Sequence, residues 1–162
     1  MVTACRKLVV QQDILTSLIR LAREGAPEEV CGLLVGSGCR VSHVLPVQNE
    51  YHSPIRFRME PREQLMNFLW YEKQNLELLA IYHSHPCGPA EPSPTDIYEF
   101  AYPETISMII SLDNCGNYPG TLPGTGEPAD WLIRCFEIQN NGFSLVEIAV
   151  EESDHLPTSE LE

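Results

Sequence analysis

His83 and His85 are separated by one residue, and Asp96 follows eleven residues after the second histidine, in the run HSHPCGPAEPSPTD. Histidines at i and i+2 suit a β-strand, where alternate side chains leave the same face with Cα atoms about 7 Å apart. Both imidazoles can then reach one ion, and the carboxylate supplies a third ligand. Two histidines and an aspartate are an ordinary zinc set, and three protein ligands leave a fourth position for water, as in catalytic sites. A His-x-His beside a proline-rich turn, taken alone, reads more readily as a surface pair. The residues around it reverse that preference.

Ser93-Pro94-Thr95-Asp96 is a helix start, with serine at N-cap, proline at the first helical position and an acid at the third. A capping box alone would account for Ser93 and Asp96. The same placement sets Asp96 in the positive field of a helix N-terminus, which favours the ionised form that a metal needs. The Gly/Pro-rich residues 87–92 can fold this helix start back over the histidines. Upstream, Pro27-Glu28-Glu29-Val30-Cys31-Gly32-Leu33-Leu34-Val35-Gly36 places an acidic pair at the opening of an apolar strand. A metal hydrolase needs a base for water and an acid for the leaving group, and one carboxylate can do both in turn. Such pairs are also common as solvated loop residues.

Together these residues resemble the JAMM (MPN-plus) metallopeptidase family: an early glutamate, then His-x-His-Pro, seven residues, Ser, two residues, Asp. Pro86 to Pro92 are the seven, and Thr95 with Pro94 the two. The run E-x-C-G-L-L is similar to the short single-domain prokaryotic members and sets the family glutamate at Glu29 rather than Glu28. The resemblance covers roughly residues 7–150. It implies an α/β fold with a curved mixed β-sheet flanked by helices, a JAMM/MPN, cytidine-deaminase-like architecture. It implies one Zn²⁺ per chain held by His83, His85 and Asp96, a water activated by that zinc with Glu29 as general base, and Ser93 assisting at the scissile carbonyl. The substrate it implies is the amide bond after the C-terminal Gly-Gly of a ubiquitin-like or sulfur-carrier protein. The leaving group, a cysteine or a lysine, is not fixed by the sequence. A non-catalytic MPN-type interaction scaffold would lack a ligand, and all are present. A zinc nucleoside deaminase would need His/Cys-x-Glu and Pro-Cys-x-x-Cys. Pro86-Cys87 has no second cysteine at that distance.

A chain of 162 residues with 43% hydrophobic content reads as one domain, here 1–150, followed by an acidic tail over 151–162. The net charge of −13, with ten Lys and Arg, provides no basic patch for nucleic acid or an anionic membrane surface. No stretch has the length of a membrane span or a signal-peptide core, and the cytoplasm is the expected location. A homodimer is compatible with the sequence, which does not fix the oligomeric state. Cys5, Cys31, Cys39, Cys87, Cys115 and Cys135 contain no C-x-x-C, and in a cytoplasmic chain they are expected as thiols. Cys87, directly after HSHP, is expected in the loop near the metal.

The elements that must position the site alternate between strand and helix. Strands are predicted over 7–10, 29–36, 40–48, 55–59, 77–83, 105–112, 131–138 and 143–150. Helices are predicted over 12–24, from Pro61 onward and from Pro94 to about Ala101. The second helix is expected to bury Leu65, Phe68, Leu69 and Leu76 along one side. The strand at 77–83 delivers the histidines. Residues 113–129, rich in glycine and proline, are too long for a simple connection and are expected as a substrate-facing loop or a disordered insertion.

Overall fold

The computed structural model describes residues 5–112, 120–121, 128–129 and 131–153. The chain runs β1 (Lys7–Gln11), α1 (Gln12–Gly25), β2 (Cys31–Ser37), β3 (Arg40–Val47), α2 (Pro61–Lys73), β4 (Glu77–His85) and α3 (Pro94–Glu99). It continues through β5 (Ile106–Ser111), the two-residue strands β6 (Gly120–Thr121) and β7 (Pro128–Ala129), β8 (Leu132–Gln139) and β9 (Gly142–Glu151). The fold is the expected mixed α/β sheet with flanking helices. Its curvature goes as far as closure, in the order β1-β3-β2-β4-β5-β8-β9, because β1 pairs in parallel with both β9 and β3. Among the described residues, no helix is long and apolar enough to cross a membrane.

Two turns set the local registers. Gly38, at φ 62°, turns β2 into β3 with Ser37 opposite Arg40. Asn140 and Asn141, at φ 51° and 61°, form the two-residue turn between β8 and β9, and asparagine tolerates this left-handed region better than most residues. Gly32 answers a different need. A Cβ there would stand 2.5 Å from both the Leu45 carbonyl oxygen and the Tyr82 hydroxyl, so the glycine after Cys31 lets β3 and the Tyr82 side chain close on β2.

Strand alternation divides the core by face. Leu15, Leu18, Ile19 and Ala22 of α1 pack with Leu34, Tyr82 and Met108. The other face carries Leu33 and Ile81 against Tyr71 and Phe68 of α2. Nearby, Ile109 and Phe136 meet Ile97 and Phe100 at α3. His83 and His85 share the parity of Ile81, which puts both on the side covered by α2 and α3. β4 lies between β2 and β5 and is buried from Leu79 to His85.

Three expectations are corrected. Leu65 and Leu69 are 56% and 54% exposed, and Leu76 lies beyond the end of α2. The helix is apolar on nearly every side, so periodicity could not choose its buried face, and Phe68 and Tyr71 take it. Residues 55–59 form no strand and contribute one isolated bridge, Asn49 to Met59, because a side chain takes the backbone groups that a ladder would use. Cys5 and Cys39 are a disulfide rather than two thiols. β1 lies beside the start of β3, with the Val9 N–H donating to the Cys39 carbonyl at 2.8 Å. That neighbourhood brings Cα atoms 34 residues apart in sequence to 5.6 Å.

This bond staples the seam where the barrel closes. Cross-linking residues 34 apart restricts the unfolded chain by about 3–4 kcal/mol on the loop-entropy account. Cys5→Ser is therefore expected to lower the melting temperature, and reductant should lower that of the wild type by a similar amount. Melting curves that neither reductant nor Cys5→Ser alters would contradict the bond.

Candidate metal centre

β4 delivers His83 and His85 from one face at its C-terminal end, and α3 delivers Asp96 from its first turn. The Nε2 atoms of the two histidines lie 3.0 Å apart. Asp96 Oδ2 lies 3.3 Å from His83 Nε2 and 3.2 Å from His85 Nε2. Three lone-pair atoms facing one another in a buried place repel unless a proton or a cation lies among them. Tetrahedral ligation at about 2.0–2.1 Å spaces neighbouring ligand atoms about 3.3 Å apart, so this donor set fits a zinc-sized ion. Among the described residues it is the group able to hold a metal.

The surroundings orient each ligand. His85 Nδ1 donates to the Pro89 carbonyl at 2.7 Å, which turns Nε2 toward Asp96 and His83, the usual way a ligating imidazole is aimed. Phe57 stacks on His83 with ring centroids 4.5 Å apart. Asp96 belongs to the capping box of α3. Its amide donates to Ser93 Oγ at 3.1 Å, and its Oδ2 accepts the Ser93 N–H at 2.8 Å. The cap and the candidate metal group are thus one construction: the capping box is formed, and the carboxylate that closes it faces both imidazoles. Because Ser93 Oγ accepts in the cap, its proton is left for another acceptor.

Burial would raise the Asp96 carboxyl, but hydrogen bonding from both imidazoles and the Ser93 N–H holds it far below the usual carboxylate range. Burial pushes His83 below its ordinary value, against the pull of Asp96. Burial also acts downward on His85, yet hydrogen bonds to Asp96 and Pro89 carry it above.

Glu29 is 3% exposed, and its Oε2 is buried without a hydrogen-bond partner. Burial pushes its carboxyl up to about 7; His85 pulls it down and Asp96 pushes it up. It lies just ahead of β2 rather than within it. Glu28, by contrast, is half-buried and pairs with His52 at 3.3 Å. The two glutamates therefore differ in burial and in partners. A cleft of about 510 Å³ opens over His83 and Asp96, walled by Phe57, Gln64, Glu99 and Tyr102. Glu29 lines a separate cleft with Asn49 and His52. Cys87 is exposed in the loop after β4; Cys115 and all but four residues of the 113–129 segment lie outside the described residues.

Sequence reading missed four contributors: Ser84, Phe57, Pro89 and Asn49. Ser84 is the spacer of the His-x-His and is fully buried. Its Oγ accepts the Val30 N–H at 2.8 Å, which ties the Glu29 segment to the histidine strand. No periodicity marks the others, because each acts through a carbonyl, a ring or a side-chain amide in irregular chain.

The chain matches the family described as prokaryotic homologs of the JAB domain over residues 11–121, and it belongs to that family. It is 30% identical over 144 residues to a desampylase of Pyrococcus furiosus, covering 89% of this chain and 91% of that protein. It is 31% identical over 106 residues to the CysO-cysteine peptidase of Mycobacterium tuberculosis, covering 64% and 73%. A solution structure from Desulfitobacterium hafniense superposes with a TM-score of 0.74 at 30% identity, covering 90% of this chain and 94% of that one. The names of these relatives support a hydrolase.

In the metal-free protein, Glu29 is expected to titrate near 7. Its folded value lies above its unfolded one. The stability it contributes is present below about pH 4.5 and is lost as pH rises through about 7. Glu29→Gln should therefore gain stability relative to the metal-free wild type between pH 5 and 8, measured by urea unfolding. A constant difference across that range would show that the carboxyl is not raised. Added zinc should lower the Glu29 midpoint, since a nearby cation favours the charged form.

Proposed function

We propose that the chain is a zinc-dependent peptidase that hydrolyses the amide bond after the C-terminal Gly-Gly of a ubiquitin-like or sulfur-carrier protein. The observation that carries this reading is the convergence of three buried ligand atoms beside a buried carboxylate with an unpartnered oxygen. His83, His85 and Asp96 would hold the zinc. When bound, the ion supplies Lewis-acid chemistry, acidifying water and polarising a carbonyl. The names of the relatives support the substrate class: desampylase, CysO-cysteine peptidase and, at 46% identity over 80 residues, a probable TtuB-protein conjugate cleaving protease of Thermus thermophilus.

Glu29 takes a proton from the attacking water and returns it to the leaving amine. A carboxyl poised near 7 is suited to both transfers. Ser93 donates its hydroxyl proton to the scissile carbonyl oxygen as negative charge builds there, a contribution worth about 3 kcal/mol in comparable sites. Asp96, held ionised by its hydrogen bonds, keeps the ligand set anionic. Glycine, lacking a side chain, passes a narrow approach that larger residues cannot, and an extended tail is bound through its backbone. A scaffold without activity would have no use for a buried, unpaired carboxylate, which is costly to keep.

The test is mass spectrometry of a β-grasp carrier extended beyond Gly-Gly by one cysteine, or joined through Gly-Gly to a lysine. The wild type should release the carrier ending in Gly-Gly. Glu29→Gln should retain the metal and lose about a hundredfold or more in rate, while Glu28→Gln should lose far less. The same carrier with its last Gly changed to Val should resist. Equal cleavage of both carriers, or efficient digestion of casein, would show a general peptidase.

A further inference from the structure

We propose that Asn49 is a positioning residue for the reaction: one buried side-chain amide fixes the main chain of Glu29 and the loop that sets Phe57 against His83. The proposal rests on the reading of Glu29 as proton carrier and asks what holds that carboxylate in place.

A carboxylate with an unpartnered oxygen cannot be aimed through that atom. Its direction must come from its backbone. The Glu29 N–H donates to the Ser53 carbonyl at 2.9 Å. The Glu29 carbonyl accepts from Asn49 Nδ2 at 3.0 Å. The N–H of the same peptide unit, on Val30, is held by Ser84 Oγ. Both polar groups of the 29–30 peptide are thus bound by side chains, and rotating that plane breaks two hydrogen bonds at once.

Asn49 has further partners. Its Nδ2 also donates to the Arg56 carbonyl at 3.1 Å, and its Oδ1 accepts from the Tyr51 and Arg58 N–H groups, both at 3.1 Å. Two carbonyls face the nitrogen and two N–H groups face the oxygen, so the network fixes the orientation of the amide. Asn49 is 6% exposed. Arg56 and Arg58 flank Phe57, whose ring lies on His83. One side chain therefore holds both the main chain of the proton carrier and the loop whose ring stacks on His83.

Asn49→Asp is nearly isosteric. It keeps an acceptor for Tyr51 and Arg58 and sets a carboxylate oxygen against the Glu29 and Arg56 carbonyls. The experiment is a double-mutant cycle on the zinc-loaded full chain, with a carrier joined through Gly-Gly to cysteine. Asn49→Asp should lower kcat about tenfold or more, as expected for a misplaced reacting group, with KM changing less and zinc content unchanged. In a Glu29→Gln background the same change should lower the residual kcat by less than about twofold, since there is no proton carrier left to misplace. Leu18→Ala, in the α1 core and outside these hydrogen bonds, controls for lost stability and should act equally in both backgrounds.

Equal loss from Asn49→Asp in both backgrounds would make Asn49 a structural residue and overturn the proposal, as would a kcat near the wild-type value. A Glu29→Gln variant with normal kcat would overturn the reading of Glu29, and the proposal with it, which is visible without any Asn49 variant. If Asn49→Asp does not fold, Asn49→Ser goes through the same cycle. Failure of both to fold would make Asn49 a folding residue and overturn the proposal.

Discussion

Two imidazole nitrogens and a carboxylate oxygen are held 3.0–3.3 Å from one another in a buried place, and the surrounding fold is arranged to sustain that crowding. With neither a proton nor a cation among them, such atoms would separate if the chain allowed it. The histidines cannot move, because β4 is clamped between β2 and β5 and its end is buried. Asp96 cannot move without breaking the cap that begins α3. The crowding is built into rigid elements, and a proton or a bound cation among the three atoms would relieve it. This makes the metal group a property of strand order and helix capping as much as of three residue types.

Glu29 is held differently. It stands outside the ladder, where the chain enters β2, and its main chain is bound by Ser53, Asn49 and, through Val30, Ser84. These contacts bring two distant stretches of sequence, 49–53 and the end of β4, to one residue. A carboxylate in a dry environment with an oxygen left unpaired is poised to exchange a proton near neutrality, and its segment gives it little freedom to turn toward solvent. The stacking of Phe57 on His83 joins the same loop to the histidine pair.

The sequence made the ligand set legible because His-x-His and Ser-x-x-Asp express local rules, strand alternation and helix capping, that act within a few residues. The strands that flank Gly38 and Asn140-Asn141 were legible for the same reason. The buried face of α2 was not, since Leu65, Met66, Leu69 and Trp70 are exposed beside the buried Tyr71 on a helix that is apolar nearly all round. Closure of the sheet and the Cys5–Cys39 bond depend on β1 meeting β3 across the barrel, a non-local pairing that no window of sequence contains. Asn49 carried no signal in the sequence, because its bonds to Glu29, Arg56 and Arg58 exist only once the chain has folded back around it.

Anomalous diffraction at the zinc absorption edge, on crystals of the zinc-loaded chain, tests the central claim most directly. One peak per chain is predicted, coordinated by His83 Nε2, His85 Nε2 and an Asp96 carboxylate oxygen, with Glu29 outside the ligand set. A peak elsewhere, or one at this place ligated by Glu29 or Cys87 in place of Asp96, would contradict the account.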